Sequence, residues 1–498
     1  MKKTIFLTEE VKGLFSSGDP FSIAENIEGE VFRKTANRIT KEFTFEDNRY
    51  FIKLHYGVGW KEVLKNILKL RAPTISASPE WKALKKLRLL GIDCPEPVGF
   101  YSTGINPANV KSFIITKSLI NTISLEEALQ KDKFQKLHFS EKKEFIEKIA
   151  TISRNLHSNG INHRDYYLCH FHIDENLDVE KKIYLIDLHR AQLRSFVPSR
   201  WASKDIGSLI HSAMGFNLNE KDFYRFMRTY LQCSLKEAIQ DHSKFLGTSR
   251  NRAFRMFMKP ILKEIDISLP QEKGDSSDYL RGDKNNVRWI IRKEYLSQGF
   301  EELISEVDSY MEQGEIIKDE AGHKIVSLNF NDETFIIKKY QIKGLGHYLK
   351  KLFSQTRALT AWKACHWFNA AGIKTFNIVS VIERYNAFTT TDSYLISSLL
   401  PGHRLDKVDI DEQQKYLIAN RVSSFFKKLR WIGFNHGDSK SSNFNFHQGK
   451  LFVFDLDSAK RRFLSFRIKN KILRDQKRIL KSLEREKSTR EALIKRFN

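Results

Sequence analysis

Residues 162–171 read NHRDYYLCHF, and residues 435–444 read NHGDSKSSNF. Both segments contain Asn-His-x-Asp, and in both a phenylalanine follows six positions after the aspartate. A short pattern that occurs twice in one chain calls for a search for a longer internal repeat, because a repeat determines how the whole fold is interpreted.

Three further pairs of segments match in the same order along the chain. The pairs are EWKALKKLRLLGI (80–92) with AWKACHWFNAAGI (361–373), RYFIKLHYG (49–57) with TFIIKKYQI (334–342), and YLIDLHRAQ (184–192) with VFDLDSAKR (453–461). The offsets between partners differ only by lengths typical of loops. Four matches that keep their order imply a duplicated domain.

Strand-like and helix-like segments alternate in the same way in both halves. The segments 49–55 and 112–119 have the composition of strands. The segments 80–92 and 141–160 place apolar residues at helical spacing. We therefore predict an α+β protein with domains at 1–266 and 287–498, joined by a linker at 267–286, which is polar and contains Pro, Gly and Ser.

The bulk composition narrows the class of protein. The chain has 498 residues, enough for two or three domains, and its four cysteines form no CxxC pair. A disulfide framework or a zinc site is therefore not expected, and reduced thiols fit a cytoplasmic compartment. The N-terminal apolar run is too short for a signal peptide, and no run is long enough for a membrane-spanning helix.

The formal net charge of +24 predicts an anionic partner. Residues 460–496 alone carry about +11, with apolar residues near helical spacing. This basic C-terminal helix could rest on an anionic membrane surface, or it could close the second domain with a charged outer face, and we favour a mixture of the two. Nucleic acid is not expected, because no aromatic platform or known binding motif accompanies the charge.

The order of charged residues in the first half fits phosphoryl transfer from ATP. Such a reaction needs a lysine on the phosphates, an aspartate on Mg²⁺, and an aspartate that accepts or orients the acceptor hydroxyl. Position and electrostatic field supply most of the catalysis. We assign Lys53 to phosphate, Glu80 to Lys53, Asp165 as the base and Asp187 to Mg²⁺.

His170 lies five residues after Asp165, where protein kinases have asparagine. It is either a ligand or hydrogen-bonding group beside the metal, or a core histidine whose hydrogen bonds are local. His163 is expected to pack beneath the loop. The segment 31–43 contains no glycine, so a glycine-rich cover over the phosphates is absent.

The first half also resembles a known family. The segments KLHYGVGWKEVLKNILKLRAPTISASPEW (53–81), GINHRDYYLCHFHI (160–173), YLIDLHRAQLR (184–194) and 200–230 are similar to the lipopolysaccharide core heptose kinases of the WaaP/RfaP type. The resemblance implies tandem protein-kinase-like domains, each with a β-rich N-lobe and a helical C-lobe. It further implies ATP and Mg²⁺ as cofactors and a lipopolysaccharide core glycolipid as partner. The implied location is peripheral, at the cytoplasmic face of a Gram-negative inner membrane.

The second half resembles the broader lipopolysaccharide kinase (Kdo kinase-like) group through HGDSKSSNF and FDLD. This resemblance implies Asp438 as base, Asn443 and Asp455 as Mg²⁺ ligands, and Lys338 on phosphate. Lys440 is either a contact to the γ-phosphate or an exposed loop lysine.

One position departs from the pattern, because Glu80 aligns with Ala361. Lys338 therefore lacks its expected carboxylate partner, and Glu383 is a candidate to replace it. We expect the second unit to be active, since its other motif residues are complete.

Two alternatives remain open at this point. The chain could be a Ser/Thr/Tyr protein kinase, although Asp187-Leu188-His189 stands where such enzymes have DFG. Alternatively, one active kinase unit could work with a second, non-catalytic unit that binds acidic glycolipid, which the alanine at position 361 would explain.

Overall fold

The computed structural model describes residues 3–68, 75–106, 108–131, 137–178, 180–214, 216, 220–271, 278–296, 299–320, 322–341, 355–386, 390–407, 412–462, 465–483 and 487–497. The chain forms two compact units, residues 1–253 and 254–498. Each unit is described by itself.

The first unit begins with an antiparallel sheet whose strand order is β1-β5-β6-β4-β3-β2. Its strands are β1 (Lys3–Leu7), β2 (Glu30–Thr35), β3 (Arg38–Phe45), β4 (Asn48–His55), β5 (Pro97–Thr103) and β6 (Lys111–Lys117). Glu46 and Asp47 both have positive φ, which gives the β3–β4 hairpin the twist that a two-residue turn needs. Alternate residues of β4 are buried, so its inner face forms part of a core.

Helices α1 (Glu9–Lys12), α2 (Pro20–Asn26), α3 (Gly59–Leu68) and α4 (Ser78–Leu89) accompany this sheet. The predicted helix after Pro79 is therefore confirmed, and it buries Trp81, Leu84 and Leu87. These side chains pack in a second core with the elements that follow the sheet.

The remainder of the first unit is mostly helical. Its helices are α5 (Leu125–Gln130), α6 (Phe139–Ser158), α7 (Ser199–Ala213), α8 (Glu220–Leu231), α9 (Leu235–Gln240) and α10 (Ser243–Glu264), the last of which crosses into the second unit. Short strands connect them: β7 (Thr122–Ser124), β8 (Ile161–Asn162), β9 (Phe171–Asp174), β10 (Tyr184–Leu185) and β11 (Gln192–Leu193). Gly160 has φ +76, and a Cβ there would lie 2.0 Å from the carbonyl oxygen of Arg194, so only glycine fits between α6 and β8.

The second unit repeats this arrangement. Its main sheet has the order β12-β13-β18-β19-β16-β15-β14, in which the last five strands match β5-β6-β4-β3-β2 one for one. The strands of this sheet are β12 (Tyr279–Lys284), β13 (Val287–Arg292), β14 (Glu315–Glu320), β15 (His323–Phe330), β16 (Glu333–Gln341), β18 (Ile378–Tyr385) and β19 (Thr390–Ser398). Short strands of the unit outside this sheet are β17 (Lys374–Thr375), β20 (His403–Arg404), β21 (Phe434–Asn435), β22 (Phe444–His447), β23 (Lys450–Val453) and β24 (Lys460–Arg461). The β15–β16 turn uses Asn331 and Asp332 at positive φ, as the β3–β4 turn does with Glu46 and Asp47.

Seven helices complete the described part of this unit. They are α11 (Lys293–Leu296), α12 (Phe300–Ser305), α13 (Val307–Gln313), α14 (Arg357–Ala370), α15 (Glu412–Ile432), α16 (Ser465–Ser482) and α17 (Lys487–Phe497). The prediction of an α+β fold with two kinase-like units is confirmed, since each unit joins an antiparallel sheet to a helical part.

Two features differ from the sequence predictions. Strand β12 lies inside the segment 267–286, which its Pro, Gly and Ser content led us to treat wholly as linker. Strand β12 pairs with β13 along its full length, so these residues belong to the second sheet.

The second difference concerns the basic C-terminal segment. Ile468, Ile472, Ile479 and Leu483 of this segment are buried in the core of the second unit. Most of the apolar face of α16 therefore closes the domain, which is one half of the mixture we favoured, while Leu473 and the basic side chains that the structure describes as exposed face outward. Within the described residues, no helix combines the length and the apolar character needed to span a bilayer.

Candidate functional site

The lysine predicted for phosphate lies between two carboxylates in the first unit. Lys53 Nζ is 2.6 Å from Glu80 Oε1 and 3.3 Å from Asp187 Oδ1. Lys53 is on β4, Glu80 is in the first turn of α4, and Asp187 follows β10. Burial by itself lowers the pKa of Lys53, but the two carboxylates raise it above its usual value, so the ammonium group stays charged.

Asp187 is held by histidines as well as by the lysine. His189 Nδ1 lies 2.7 Å from Asp187 Oδ1, and His170 Nε2 lies 3.6 Å from Asp187 Oδ2. Burial alone would raise the pKa of Asp187, but the hydrogen bond from His189 and the charge of Lys53 bring it well below its usual range. Asp187 also has φ +58, a left-handed backbone conformation that is rare outside glycine.

The hydrogen bond of His170 limits what its ring can do. Its Nδ1 is 2.6 Å from the backbone carbonyl oxygen of Asp165, so Nδ1 carries the proton and donates. In the neutral ring, Nε2 then presents a lone pair toward Asp187 Oδ2. A cation between these two atoms would satisfy both, so the geometry favours the metal-side interpretation of His170 over that of a core histidine.

The catalytic loop of the first unit presents Asp165. Asp165 Oδ1 accepts a hydrogen bond from Arg190 Nη1 at 2.6 Å. Among the described residues, this is the one hydrogen bond to the Asp165 carboxylate. Burial lowers the pKa of His163, whose Nε2 donates to the carbonyl oxygen of Ile186 at 3.0 Å. His163 therefore packs beneath the loop as predicted.

The residue that holds this loop was missed by the sequence reasoning. Asp205 on α7 is buried, and its carboxylate accepts the backbone N–H groups of His163 at 2.8 Å and Arg164 at 3.0 Å. Asn162 and His157 donate to it as well. The available signal was a single acid among small and apolar residues on one helix, because a buried carboxylate needs hydrogen-bond partners.

The second unit has an equivalent anchor on α16. Asp475 accepts the backbone N–H of Gly437 at 3.0 Å, and Ser482, seven residues later, accepts the N–H of Ser441 at 2.8 Å. In the first unit, Ser212 stands seven residues after Asp205 and accepts the N–H of Leu168 at 3.0 Å. The helix predicted as a basic tail therefore supports the loop at 435–444.

The second loop reproduces the first with asparagine in place of histidine. Asn443 Nδ2 donates to the backbone carbonyl oxygen of Asp438 at 2.7 Å, as His170 donates to that of Asp165. Among the described residues its amide oxygen has no hydrogen-bond donor, so this oxygen can face a cation. Lys440 Nζ and Arg478 Nη1 lie 3.0 and 3.4 Å from the Asp438 carboxylate, so Lys440 contacts the predicted base and is not simply a solvated loop lysine.

Lys338 differs from Lys53 in its partners. Its Nζ lies 3.2 Å from Asp455 Oδ1, and within the described residues no other carboxylate pairs with it. The suggestion that Glu383 replaces the missing acid is wrong. Glu383 is buried in an ion pair with Arg288 at 2.9 Å and accepts a hydrogen bond from Thr356, so its charge is already compensated.

A different pair connects α14 to the loop after β23. Arg357, the first residue of α14, forms an ion pair with the buried carboxylate of Asp457. Asp457 stands two residues after Asp455, at the position that His189 occupies after Asp187. From the sequence alone, Asp457 is seen only as a replacement for His189, and its partner Arg357 cannot be inferred.

The donor atoms at both loops suit Mg²⁺ in a kinase site. Among the described residues, no group of three or more His, Cys, Asp or Glu side chains is arranged to hold a metal by itself. Mg²⁺ in such sites takes one or two protein ligands and fills its octahedron with water and substrate phosphates. The pairs Asp187 with His170, and Asp455 with Asn443, fit that requirement.

Comparisons with known proteins agree with this geometry. The model of the lipopolysaccharide kinase (Kdo/WaaP) family matches residues 24–230 and 309–497. Lipopolysaccharide core heptose(I) kinase WaaP of Escherichia coli is 38% identical over 262 residues, covering 52% of this chain and 99% of that protein. The WaaP of Pseudomonas aeruginosa is 34% identical over 256 residues, covering 51% of this chain and 96% of that protein.

A solved structure of WaaP in complex with acyl carrier protein is 30% identical, with a TM-score of 0.45, and covers 51% of this chain and 99% of that chain. The family resemblance drawn from the sequence is confirmed. The two matched regions of the family model agree with a second kinase-like domain.

Proposed function

Because the chain belongs to the lipopolysaccharide kinase (Kdo/WaaP) family, we propose that its first unit transfers the γ-phosphate of ATP to a heptose hydroxyl of the lipopolysaccharide inner core. The observation that carries the proposal is the contact of Lys53 with both Glu80 and Asp187, beside a loop that presents Asp165. The relatives named heptose(I) kinases support the choice of acceptor. The reaction would take place at the cytoplasmic face of the inner membrane, where we expect the protein to bind peripherally.

The roles of the first-unit residues follow from their contacts. Glu80 holds the ammonium group of Lys53 in place, so that this group can contact phosphate oxygens without first having to be ordered. Asp187 and His170 would hold Mg²⁺, which when bound neutralises charge on the phosphates.

The acceptor hydroxyl would meet the other carboxylate of the site. Arg190 occupies Asp165 Oδ1, so Oδ2 is the oxygen positioned to orient the hydroxyl and take its proton.

We further propose that the second unit is a phosphotransfer site of the same kind. Asp438, Asn443 and Asp455 are all present, and Asn443 repeats the hydrogen bond that His170 makes. The ion pair between Arg357 and Asp457 would join α14 to the metal loop, a task that Glu80 and Lys53 perform in the first unit. Because this ion pair does not include Lys338, that lysine is held less firmly than Lys53, and we expect slower phosphoryl transfer at the second site than at the first.

The test uses matched substitutions in the two units. Asp165→Asn and Asp438→Asn variants would each be produced in a strain that lacks the chromosomal gene, with Asp241→Asn, an exposed aspartate, as control. Mass spectrometry of the isolated core oligosaccharide then counts phosphate groups. We expect Asp165→Asn to remove the heptose phosphate, Asp438→Asn to remove a different one, and the control to change nothing.

Other outcomes distinguish the alternatives. If Asp438→Asn leaves every phosphate in place, the second unit is a non-catalytic module, as Ala361 would allow. If purified protein labels a protein acceptor and not core oligosaccharide, the protein-kinase alternative is correct. If Asp165→Asn leaves the phosphate count unchanged, the proposed function of the first unit is wrong.

A further inference from the structure

Helix α3 presents a stripe of large apolar side chains to solvent. Trp60, Leu64 and Leu68 are 54%, 53% and 85% exposed. Their spacing of four residues places them on one side of the helix. Val63, on the neighbouring side, is only 3% exposed and seats the helix. A contiguous apolar stripe is unusual on a protein surface and marks a site of interaction.

The start of α3 is fixed to the sheet that carries Lys53. Gly57 and Gly59 have φ +87 and +70, and the N–H of Gly59 donates to the carbonyl oxygen of Ala108 at 3.0 Å. A Cβ on Gly57 would lie 2.5 Å from that same oxygen, so the backbones touch there. The stripe therefore begins five residues after the end of β4, close to the first unit's main sheet.

The charge around the stripe is complementary to an anionic surface. Lys61 is exposed beside Trp60, and Lys65 follows one helical turn later in the sequence, against one glutamate in the same helix. The whole chain has a formal net charge of +24. An exposed tryptophan and leucines next to lysines is the pattern of a helix that lies in the headgroup region of a bilayer.

We propose that the Trp60–Leu64–Leu68 face of α3 inserts into the surface of an anionic lipid bilayer and holds the first unit against the membrane that carries its acceptor. This inference rests on the proposed function, because a glycolipid acceptor requires an enzyme that works at a lipid surface. In the C-terminal helix α16, Ile468, Ile472 and Ile479 are buried in the second unit, so most of the apolar face of that helix is not available for such a contact.

The first test measures binding to vesicles of phosphatidylethanolamine containing one quarter phosphatidylglycerol. The variant combines Trp60→Ser, Leu64→Gln and Leu68→Gln. The control combines Leu89→Gln, Ile105→Gln and Ile120→Gln, which removes as many exposed apolar side chains but scatters them over the same unit. We expect the α3 variant to lower the partition coefficient at least about tenfold, given the apolar area of three large side chains, and the control to bind like the unmodified protein.

Two measurements sharpen this result. Tryptophan emission should shift to shorter wavelength on adding vesicles, and Trp60→Phe should abolish most of that shift. Lys61→Glu should weaken binding to the anionic vesicles and leave any binding to phosphatidylcholine vesicles unchanged. Equal sedimentation of the α3 variant and the unmodified protein would overturn the proposal. So would dimerisation in solution that the α3 variant abolishes, because a second copy would then be what covers the stripe.

Activity assays separate this proposal from the proposed function. The α3 variant should phosphorylate deacylated core oligosaccharide at the normal rate but lose activity on the intact glycolipid in vesicles. If the unmodified protein phosphorylates neither acceptor, the proposed function fails, while the vesicle-binding result still decides the role of α3. If the α3 variant keeps full activity on glycolipid in vesicles, the helix does not hold the enzyme to the membrane.

Discussion

Asp205→Ala is predicted to release the first catalytic loop. The substitution leaves the buried N–H of His163 and the partly buried N–H of Arg164 without this acceptor. A buried donor that loses its partner costs about 1–3 kcal/mol, so two of them cost about 2–6 kcal/mol of unfolding free energy. Arg164 also has φ +75, a strained conformation that the carboxylate helps to hold.

The matched substitution in the second unit is Asp475→Ala. Here the carboxylate accepts one described backbone N–H, that of Gly437, so the expected loss is smaller, about 1–3 kcal/mol. An exposed aspartate, Asp241, provides the control, and its replacement by alanine should change stability by less than about 0.5 kcal/mol.

Hydrogen exchange measured by mass spectrometry reports each loop separately. Asp205→Ala should speed exchange in the peptide that covers 162–171 and leave 435–444 unchanged, and Asp475→Ala should do the reverse. Because Asp165 lies in the released loop, phosphoryl transfer by the first unit should fall about a hundredfold or more. If Asp205→Ala lowers the unfolding free energy by less than 1 kcal/mol and exchange in 162–171 is unaffected, the argument that this carboxylate holds the loop is wrong.

Three other predictions test single features. His170→Asn should keep the hydrogen bond to the Asp165 carbonyl and an oxygen for the metal, so kcat in a Mg²⁺ titration should stay within about tenfold of the unmodified value. His170→Leu lacks both groups, so its kcat should fall about a hundredfold or more. Equal losses of kcat in the two variants would exclude the metal-side role. Ala361→Glu should bring a carboxylate to Lys338 and tighten nucleotide binding by the second unit. Calorimetry in an Asp165→Asn background would measure this affinity. Weaker nucleotide binding would show that α14 is not placed as α4 is. Burial brings the pKa of His366 to about 4, below its unfolded value near 6.5, so its stabilising neutral form is complete above pH 6.5 and is lost as pH falls toward 4. At pH 5 this costs about 2 kcal/mol, so urea unfolding should show a stability loss between pH 7 and pH 5 that is smaller by about that amount in His366→Phe than in the unmodified protein.

Much of the fold and part of the site could be read from the sequence alone. Lys53, Glu80, Asp165 and Asp187 could be proposed as site residues because each sits in a short segment whose spacing reflects local backbone geometry. The duplication was visible for the same reason, since strands, helices and HxD loops recur in order. Local patterns of this kind survive in the sequence because the residues that form them are neighbours along the chain.

The partners of these residues were decided only by the tertiary structure. Asp205 lies 40 residues after Asp165, and nothing in its own helix shows that it accepts hydrogen bonds from the loop. Glu383 lay on a plausible strand, but Arg288 on the adjacent strand had already paired with it.

The C-terminal segment shows the same limit. Its basic, amphipathic pattern fits a membrane-bound helix and a domain-closing helix equally well, because both bury one apolar face. Only the surrounding core shows that Ile472 and Ile479 are buried within the protein, while the apolar stripe left exposed lies on α3. Sequence thus indicated which side chains are candidates to carry the chemistry. Packing determined what each of them contacts, because the free energy of a buried charge or an apolar face depends on neighbours that are distant along the chain.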